Sequence, residues 1–162
     1  MLLAIDPGTT DSAYVIYNGE RPIEWGKVDN EVLIDRLWGG FPQCERCAIE
    51  MIQNYGTGMA VGADVFRTCV WIGRFAEAWD RSNTSQTDAV FLKRKEVVAQ
   101  ICGSVTGKDA NVRQAMKDRF GDSKAIGTKK NPGPLYGMAN DVWQALAVAI
   151  AYSEANELAW KL

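Results

Sequence analysis

A mixed α/β fold is predicted, because β-forming segments dominate the start of the chain and helical patterns dominate the rest. The chain has 162 residues, of which 47% are hydrophobic and 23% are charged. This size and composition are typical of one globular domain with a sizeable apolar core. The sequence shows neither an internal repeat nor a low-complexity segment. Residues 1–162 are therefore expected to form a single domain.

Five segments carry the signals of β-strands. Three of them lie at the start of the chain and are separated by the turn signals Pro7-Gly8 and Asn18-Gly19, so they are expected to form an antiparallel meander. The fourth segment is apolar except for Glu50, which is typical of a buried strand. The predicted strands cover residues 2–5, 12–17, 23–28, 46–52 and 89–92.

Apolar residues at helical spacing predict helices between and after these strands. A short helix is predicted after Asn30. A long helix over 59–80 places its apolar side chains, Phe66 among them, on one face that should cover the sheet. An amphipathic helix over 140–160 has Asp141 in its first turn, where the helix dipole favours an anion. Two further helices are predicted over 94–102 and 110–120, and a loop over 124–135.

The lack of histidine narrows the possible chemistry, since the chain contains none. Hydrolases that use a serine-histidine-aspartate triad or a cysteine-histidine pair are excluded, and so are metal centres that need histidine ligands. Any catalysis must therefore use carboxylates, lysines or hydroxyl groups.

Nothing in the sequence indicates secretion or insertion into a membrane. Asp6 lies where a signal peptide would carry its apolar stretch. The longest apolar run, residues 145–152, is far shorter than the roughly 20 residues that cross a bilayer. Cysteines at positions 44, 47, 69 and 102 are too scattered for a disulfide scaffold. We therefore expect a soluble cytoplasmic protein that has no membrane partner.

Positive charge is concentrated in one part of the chain. The net charge is −2, but residues 92–130 contain ten Lys or Arg and four Asp or Glu. That segment is therefore net +6, and the remaining 8 basic and 16 acidic residues leave the rest of the chain net −8. The segment could bind a phosphate backbone, or it could be the solvated face of charged helices.

Three acidic residues occupy unusual positions. Asp6 ends the apolar first strand, Glu50 lies inside the apolar fourth strand, and Asp141 begins the last helix. A buried carboxylate is costly without a partner, and a shared divalent cation would offset that cost. Oxygen ligands without histidine favour Mg²⁺ or Mn²⁺, and two such ions about 4 Å apart could hydrolyse a phosphodiester. Alternatively, each acid could be structural, as a turn cap, an ion-pair partner or a helix-terminal charge.

The residues around these acids resemble the motifs of the RuvC-type Holliday junction resolvases, in their order and approximate spacing. The resemblance spans nearly the whole chain, and segments 94–97, 107–110 and 132–137 are most similar to a phage-type branch of that family. The motifs are Ile5-Asp6-Pro7-Gly8-Thr9, Ala48-Ile49-Glu50, and Asp141 leading into Ala145-Leu146-Ala147-Val148-Ala149.

This resemblance implies an RNase H-like fold, in which a five-stranded mixed sheet of three antiparallel strands and then two parallel strands is flanked by helices. It also implies a homodimer that nicks branched DNA such as four-way junctions, forks or flaps, with two Mg²⁺ or Mn²⁺ ions in each active site. Asp6 would bridge the metals, Glu50 would be the ligand on the second strand, and Asp141 would be the ligand on the last helix. A phage-encoded member would act in the cytoplasm of its bacterial host.

Two positions depart from the family pattern. Many members carry a further acid one helical turn after the first acid of the last helix, and this chain has Gln144 there. Because an amide binds metal more weakly, Asp141 alone, Asn140 or another acid would have to complete the site, or turnover would be slow or lost. The family often has an aromatic wedge after the strand glutamate. Tyr55 is the candidate here for stacking on junction bases, or it is an ordinary loop tyrosine.

Seven basic residues of the positive segment would then be phosphate contacts. Such contacts position the DNA and do not read its sequence. The seven are Lys93, Lys95, Lys108, Arg113, Lys117, Lys129 and Lys130.

Three other functions remain open at this point. The segment Asp6-Pro7-Gly8-Thr9-Thr10 also resembles the first phosphate loop of the actin and heat-shock chaperone ATPases. However, 162 residues without a second glycine-rich phosphate loop leave little room for their two lobes. A non-catalytic DNA-binding relative would keep the fold and the basic segment while Gln144 weakens the metal site. A nuclease of the same fold could instead act on RNA.

Overall fold

A five-stranded sheet forms the centre of the computed structural model, which describes residues 1–41, 43–53, 62–82 and 87–159. The strands are β1 (Leu2–Asp6), β2 (Asp11–Tyr17), β3 (Pro22–Asp29), β4 (Arg46–Met51) and β5 (Val90–Lys93). Their order across the sheet is β3-β2-β1-β4-β5.

The pairing of the strands brings two of the predicted acids to one edge of the sheet. β1 pairs antiparallel with β2, and β2 pairs antiparallel with β3. β4 lies parallel to both β1 and β5, so the predicted mixed sheet of three antiparallel and two parallel strands is confirmed. Ile5 is the partner of Ile49 in the register. Asp6 and Glu50, the next residue on each strand, therefore lie side by side at the carboxyl end of the parallel pair.

Helices cover both faces of this sheet. They are α1 (Asn30–Gly39), α2 (Ala63–Asp80), α3 (Arg94–Cys102), α4 (Asp109–Arg119), α5 (Ser123–Ile126) and α6 (Val142–Ala159). No helix in the described part of the chain is long and apolar enough to cross a bilayer.

The sheet separates two apolar cores, because successive side chains of a strand point to opposite faces. Leu2 and Ala4 of β1 pack with α3, α4 and α6 on one face. Leu3 and Ile5 pack with α1 and α2 on the other. β1 is thus covered on both faces. The Asp6 carboxylate is consequently attached to a strand that the two cores hold in place.

The apolar stripe of α2 is buried only in its second half, so the prediction that one face covers the sheet was wrong for the first half. Ile72, Phe75 and Trp79 are buried in the core. Phe66 and Val70, nearer the start of the helix, are 63% and 62% exposed. The helix extends beyond the sheet there, and periodicity alone does not show where the sheet ends.

Two boundaries near the carboxyl end also differ from the prediction. α6 begins at Val142, so Asp141 precedes the first turn instead of lying in it. Asn140 has a φ of 49°, a left-handed conformation that cannot continue a helix backwards. The region predicted as a loop over 124–135 contains most of the one-turn helix α5, which is too short to show a helical repeat.

Candidate active site

Asp6 lies at the centre of a group of acidic side chains. Burial raises the pKa of Asp6 well above its usual value of 3.8, and the negative charges of Glu50 and Asp141 raise it further. Arg94 acts in the opposite direction, and Asp109 has a smaller raising effect. The three acids predicted from the sequence are therefore close enough to share one electrostatic site.

Glu50 is held in a nearly closed environment, with 12% of its side chain exposed. Burial raises the pKa of Glu50, and the positive charge of Arg94 partly opposes this effect. Glu50 Oε2 lies 3.6 Å from Arg94 Nη1, which is an ion pair but too long for a hydrogen bond. This buried oxygen has no hydrogen-bond partner, and neither does Gln53 Oε1. Both residues line one cavity of about 190 Å³ together with Asp6 and Arg94.

Asp141 occupies the more open side of the site. Its backbone carbonyl accepts the first hydrogen bond of α6, from Ala145 N at 3.1 Å, which is the role of an N-cap residue. Its side chain is 51% exposed and accepts a hydrogen bond from Lys27 Nζ at 2.6 Å. Asp141 thus faces a lysine that extends from β3.

Gln144, the doubtful fourth position, is bound to Arg94. Arg94 Nη1 donates a hydrogen bond to Gln144 Oε1. Arg94 Nη2 donates to Asp109 Oδ1 at 2.5 Å. The amide oxygen that replaces an acid in this chain is therefore already paired with a cation of the protein.

Arg94 and Lys27 were missed as site residues by the sequence analysis. One signal pointed to Arg94, which directly follows β5. Leu92 of β5 is the register partner of Glu50, so a charged residue just after that strand lies at the edge where the acids meet. Lys27 had no comparable signal, because its partner Asp141 is 114 positions away along the chain.

The donor atoms of the site fit a hard divalent cation such as Mg²⁺ or Mn²⁺. Oxygen atoms of carboxylates and amides are the ligands that such ions prefer. The unpaired Glu50 Oε2 and Gln53 Oε1 are two buried oxygens of this kind in one cavity. Within the described ranges, no three acidic or thiol side chains are already gathered tightly enough to hold an ion. Asp141 would have to release Lys27 to complete the set.

The predicted DNA contacts fall into two groups. Arg113 and Lys117 line a larger cavity of about 620 Å³ beside the acids, together with Asp141, Trp143 and Gln144. The guanidinium of Arg113 lies 5.1 Å from the centre of the Trp143 ring, within the range of a cation–π contact. Tyr55 lies outside the described residues. The remaining five are exposed and line neither cavity: Lys93, Lys95, Lys108, Lys129 and Lys130.

The raised pKa of Asp6 predicts how the stability of the metal-free protein depends on pH. Folded Asp6 keeps its proton at pH values where the unfolded chain has lost it. Its contribution to stability is therefore complete below the ordinary pKa of 3.8 and is lost as the pH rises through the higher folded pKa. In EDTA, the free energy of unfolding should fall over this range, as measured by urea denaturation. The Asp6→Asn variant should show a flatter dependence, and an equal slope in both proteins would contradict this assignment.

Comparison with known proteins bears on the fold. No protein-family model and no curated protein matches this chain. The structure of Thermus thermophilus RuvC aligns with a TM-score of 0.65 at 15% identity, over 98% of this chain and 96% of that chain. The T. thermophilus RuvC in complex with a Holliday junction substrate aligns with a TM-score of 0.68 at 15% identity, over 98% of this chain and 95% of that chain. The phage-type branch stays a prediction. The chain therefore has the RNase H-like fold of RuvC.

Proposed function

We propose that the chain is a divalent-metal-dependent endonuclease that nicks branched DNA, above all four-way junctions. The observation that carries this proposal is the position of Asp6 and Glu50, which are buried side by side at the ends of two parallel strands, with Asp141 close to them. Buried like charges are unfavourable in the free protein, and a bound cation would offset them. The fold supports the choice of substrate, since one RuvC neighbour is in complex with a Holliday junction.

The proposed cofactor is Mg²⁺ or Mn²⁺, held by Asp6, Glu50 and Asp141. When bound, such an ion lowers the pKa of water and offsets the charge that develops on the phosphate. Asp6 and Glu50 would contribute fixed ligands, because both belong to strands of the central sheet. Asp141, exposed and paired with Lys27, would be the adjustable ligand. The family resemblance implies two ions in each site.

The reaction would be hydrolysis of one phosphodiester bond in a strand. The oxygen of a water molecule bonds to phosphorus, and the bond from phosphorus to one sugar oxygen breaks. The water loses a proton, and the departing sugar oxygen gains one. The carboxylates would orient the water and the phosphate in line for this displacement.

The DNA would approach across the larger cavity. Arg113 and Lys117 line it, and Asp141 stands in the same wall. A phosphate backbone that follows these two cations would therefore pass the acids. The other predicted basic contacts are exposed and would bind more distant parts of a branched substrate.

A homodimer would give the two nicks that resolution of a junction requires. The exposed first half of α2 offers an apolar surface for such an interface, with Phe66 and Val70 both more than half exposed. Exposed apolar groups of this size often mark contacts between proteins.

The experiment that tests the function is cleavage of a synthetic four-way DNA junction. A linear duplex of the same sequence is the control substrate, and each is incubated with Mg²⁺, Mn²⁺ or EDTA. We expect paired nicks near the crossover, in the junction alone and only with a metal. Binding of the junction without cleavage in either metal would instead identify a non-catalytic relative.

A further inference from the structure

Arg94 stands between the two cavities of the candidate site. It lines the smaller cavity with Asp6, Glu50 and Gln53. Its partners Asp109 and Gln144 line the larger one. Since 21% of its side chain is exposed, Arg94 is largely enclosed but still reaches the open part of the site.

Three elements hold the Arg94 guanidinium in one position. Its Nη2 donates to Asp109 of α4 at 2.5 Å, and its Nη1 donates to Gln144 of α6. The same Nη1 lies 3.6 Å from Glu50 Oε2 on β4. A planar guanidinium bound on both sides is oriented far more strictly than a lysine would be.

The pairing with Gln144 gives the loss of the expected acid a physical meaning. An acid at this position could help to hold a metal ion, whereas the neutral Gln144 oxygen already accepts a hydrogen bond from Arg94. A second divalent ion placed there would have to displace Arg94 or lie against it. Two positive charges at such a short distance repel each other strongly when water is largely excluded.

We propose that Arg94 replaces the second metal ion as a fixed positive charge of the active site, so that each chain binds one divalent ion, held by Asp6, Glu50 and Asp141. This inference rests on the proposed nuclease function. Arg94 contacts the negative charge that develops on the phosphate, from the side of the site where Gln144 stands. A guanidinium can serve this purpose, because its N–H groups match the geometry of phosphate oxygens.

The test combines binding of Mn²⁺ with cleavage of a four-way junction, in the wild type and in Arg94→Gln. Bound Mn²⁺ is counted without DNA, from the loss of the free-ion signal in electron paramagnetic resonance. We expect one ion per chain. In Arg94→Gln, Mn²⁺ should bind roughly tenfold more tightly, because a nearby positive charge has gone. Cleavage should nevertheless fall by about a hundredfold or more, because the charge on the phosphate has lost its partner.

The opposite directions of the two changes separate this role from others. A variant with a disturbed fold would lose both metal affinity and cleavage, and a cation that merely blocks the metal would show a gain in both when removed. Either result overturns the proposal, and so do two Mn²⁺ ions per wild-type chain. Arg119→Gln is the matched control, since Arg119 is an ion-paired arginine that contacts Glu154 instead of the acids. It should change neither quantity.

Failure of the proposed function gives a different pattern. In that case the wild type itself cleaves no junction in Mg²⁺ or Mn²⁺, whatever the Mn²⁺ titration shows, and the inference about Arg94 is rejected with it. If the wild type cleaves and Arg94→Gln cleaves equally well, the nuclease function stands and only the role of Arg94 is rejected.

Discussion

The Asp6→Asn variant is expected to lose junction cleavage by at least about a thousandfold, which corresponds to losing several kcal/mol of stabilisation of the transition state. Asp6 is the acid that the other two surround, since the charges of both Glu50 and Asp141 act on it. An amide there removes a charged ligand from the centre of the site while keeping its size. The rate of nicking in Mg²⁺ under single-turnover conditions measures this effect.

The same variant should remain folded, because a buried carboxylate near other acids is replaced by a neutral group. We expect its midpoint of thermal unfolding in EDTA to equal or exceed that of the wild type at pH 8. Asp35→Asn is a matched control, as Asp35 is exposed on α1, and it should cleave at the wild-type rate. A loss of cleavage accompanied by a lower unfolding midpoint would contradict a direct role for Asp6.

The second large effect is expected on DNA binding, when Arg113 and Lys117 are both changed to Gln. Both line the cavity beside Asp141, so each should neutralise a phosphate close to the site of cleavage. Affinity for a four-way junction should fall by roughly tenfold or more at moderate salt. The slope of log affinity against log salt concentration should become shallower by about 2. Both follow from a salt series of binding measurements in EDTA.

The matched control for this pair is Lys129→Gln combined with Lys130→Gln. It removes the same amount of charge from two exposed residues that do not line either cavity. We expect a smaller loss of affinity and no selective loss for junctions over duplex. If both double variants weaken binding equally, total charge decides the affinity and the cavity is not the path of the DNA.

The sheet and its acids could be predicted from the sequence because the relevant signals are local. Glu50 interrupts an apolar strand and Asp6 ends another, and a turn rich in β-breaking residues follows Asp6. Once β1 and β4 are recognised as parallel neighbours, the two carboxylates must lie at the same edge. The structure confirms the strands and their arrangement, while the catalytic role of the acids stays a prediction.

The contacts that complete the site could not be predicted, because they join residues far apart in the chain. Arg94 and Gln144 are 50 positions apart, and Lys27 and Asp141 are 114 apart. No pattern within one helix or strand indicates which acid a given cation will meet. The half-exposed α2 has the same cause, since the burial of a helix face depends on the extent of the sheet beneath it.

The position of Asp141 directly before α6 links the maturation of the site to the order of synthesis. α6 supplies much of the core that packs against Leu2 and Ala4 of β1. A nascent chain that has not yet produced α6 therefore has an open apolar face on its central strand. It also lacks the third carboxylate, or holds it on an unfolded segment. On the proposed function, the growing polypeptide cannot damage DNA while it is incomplete, because the segment that closes the core also delivers the last acidic group.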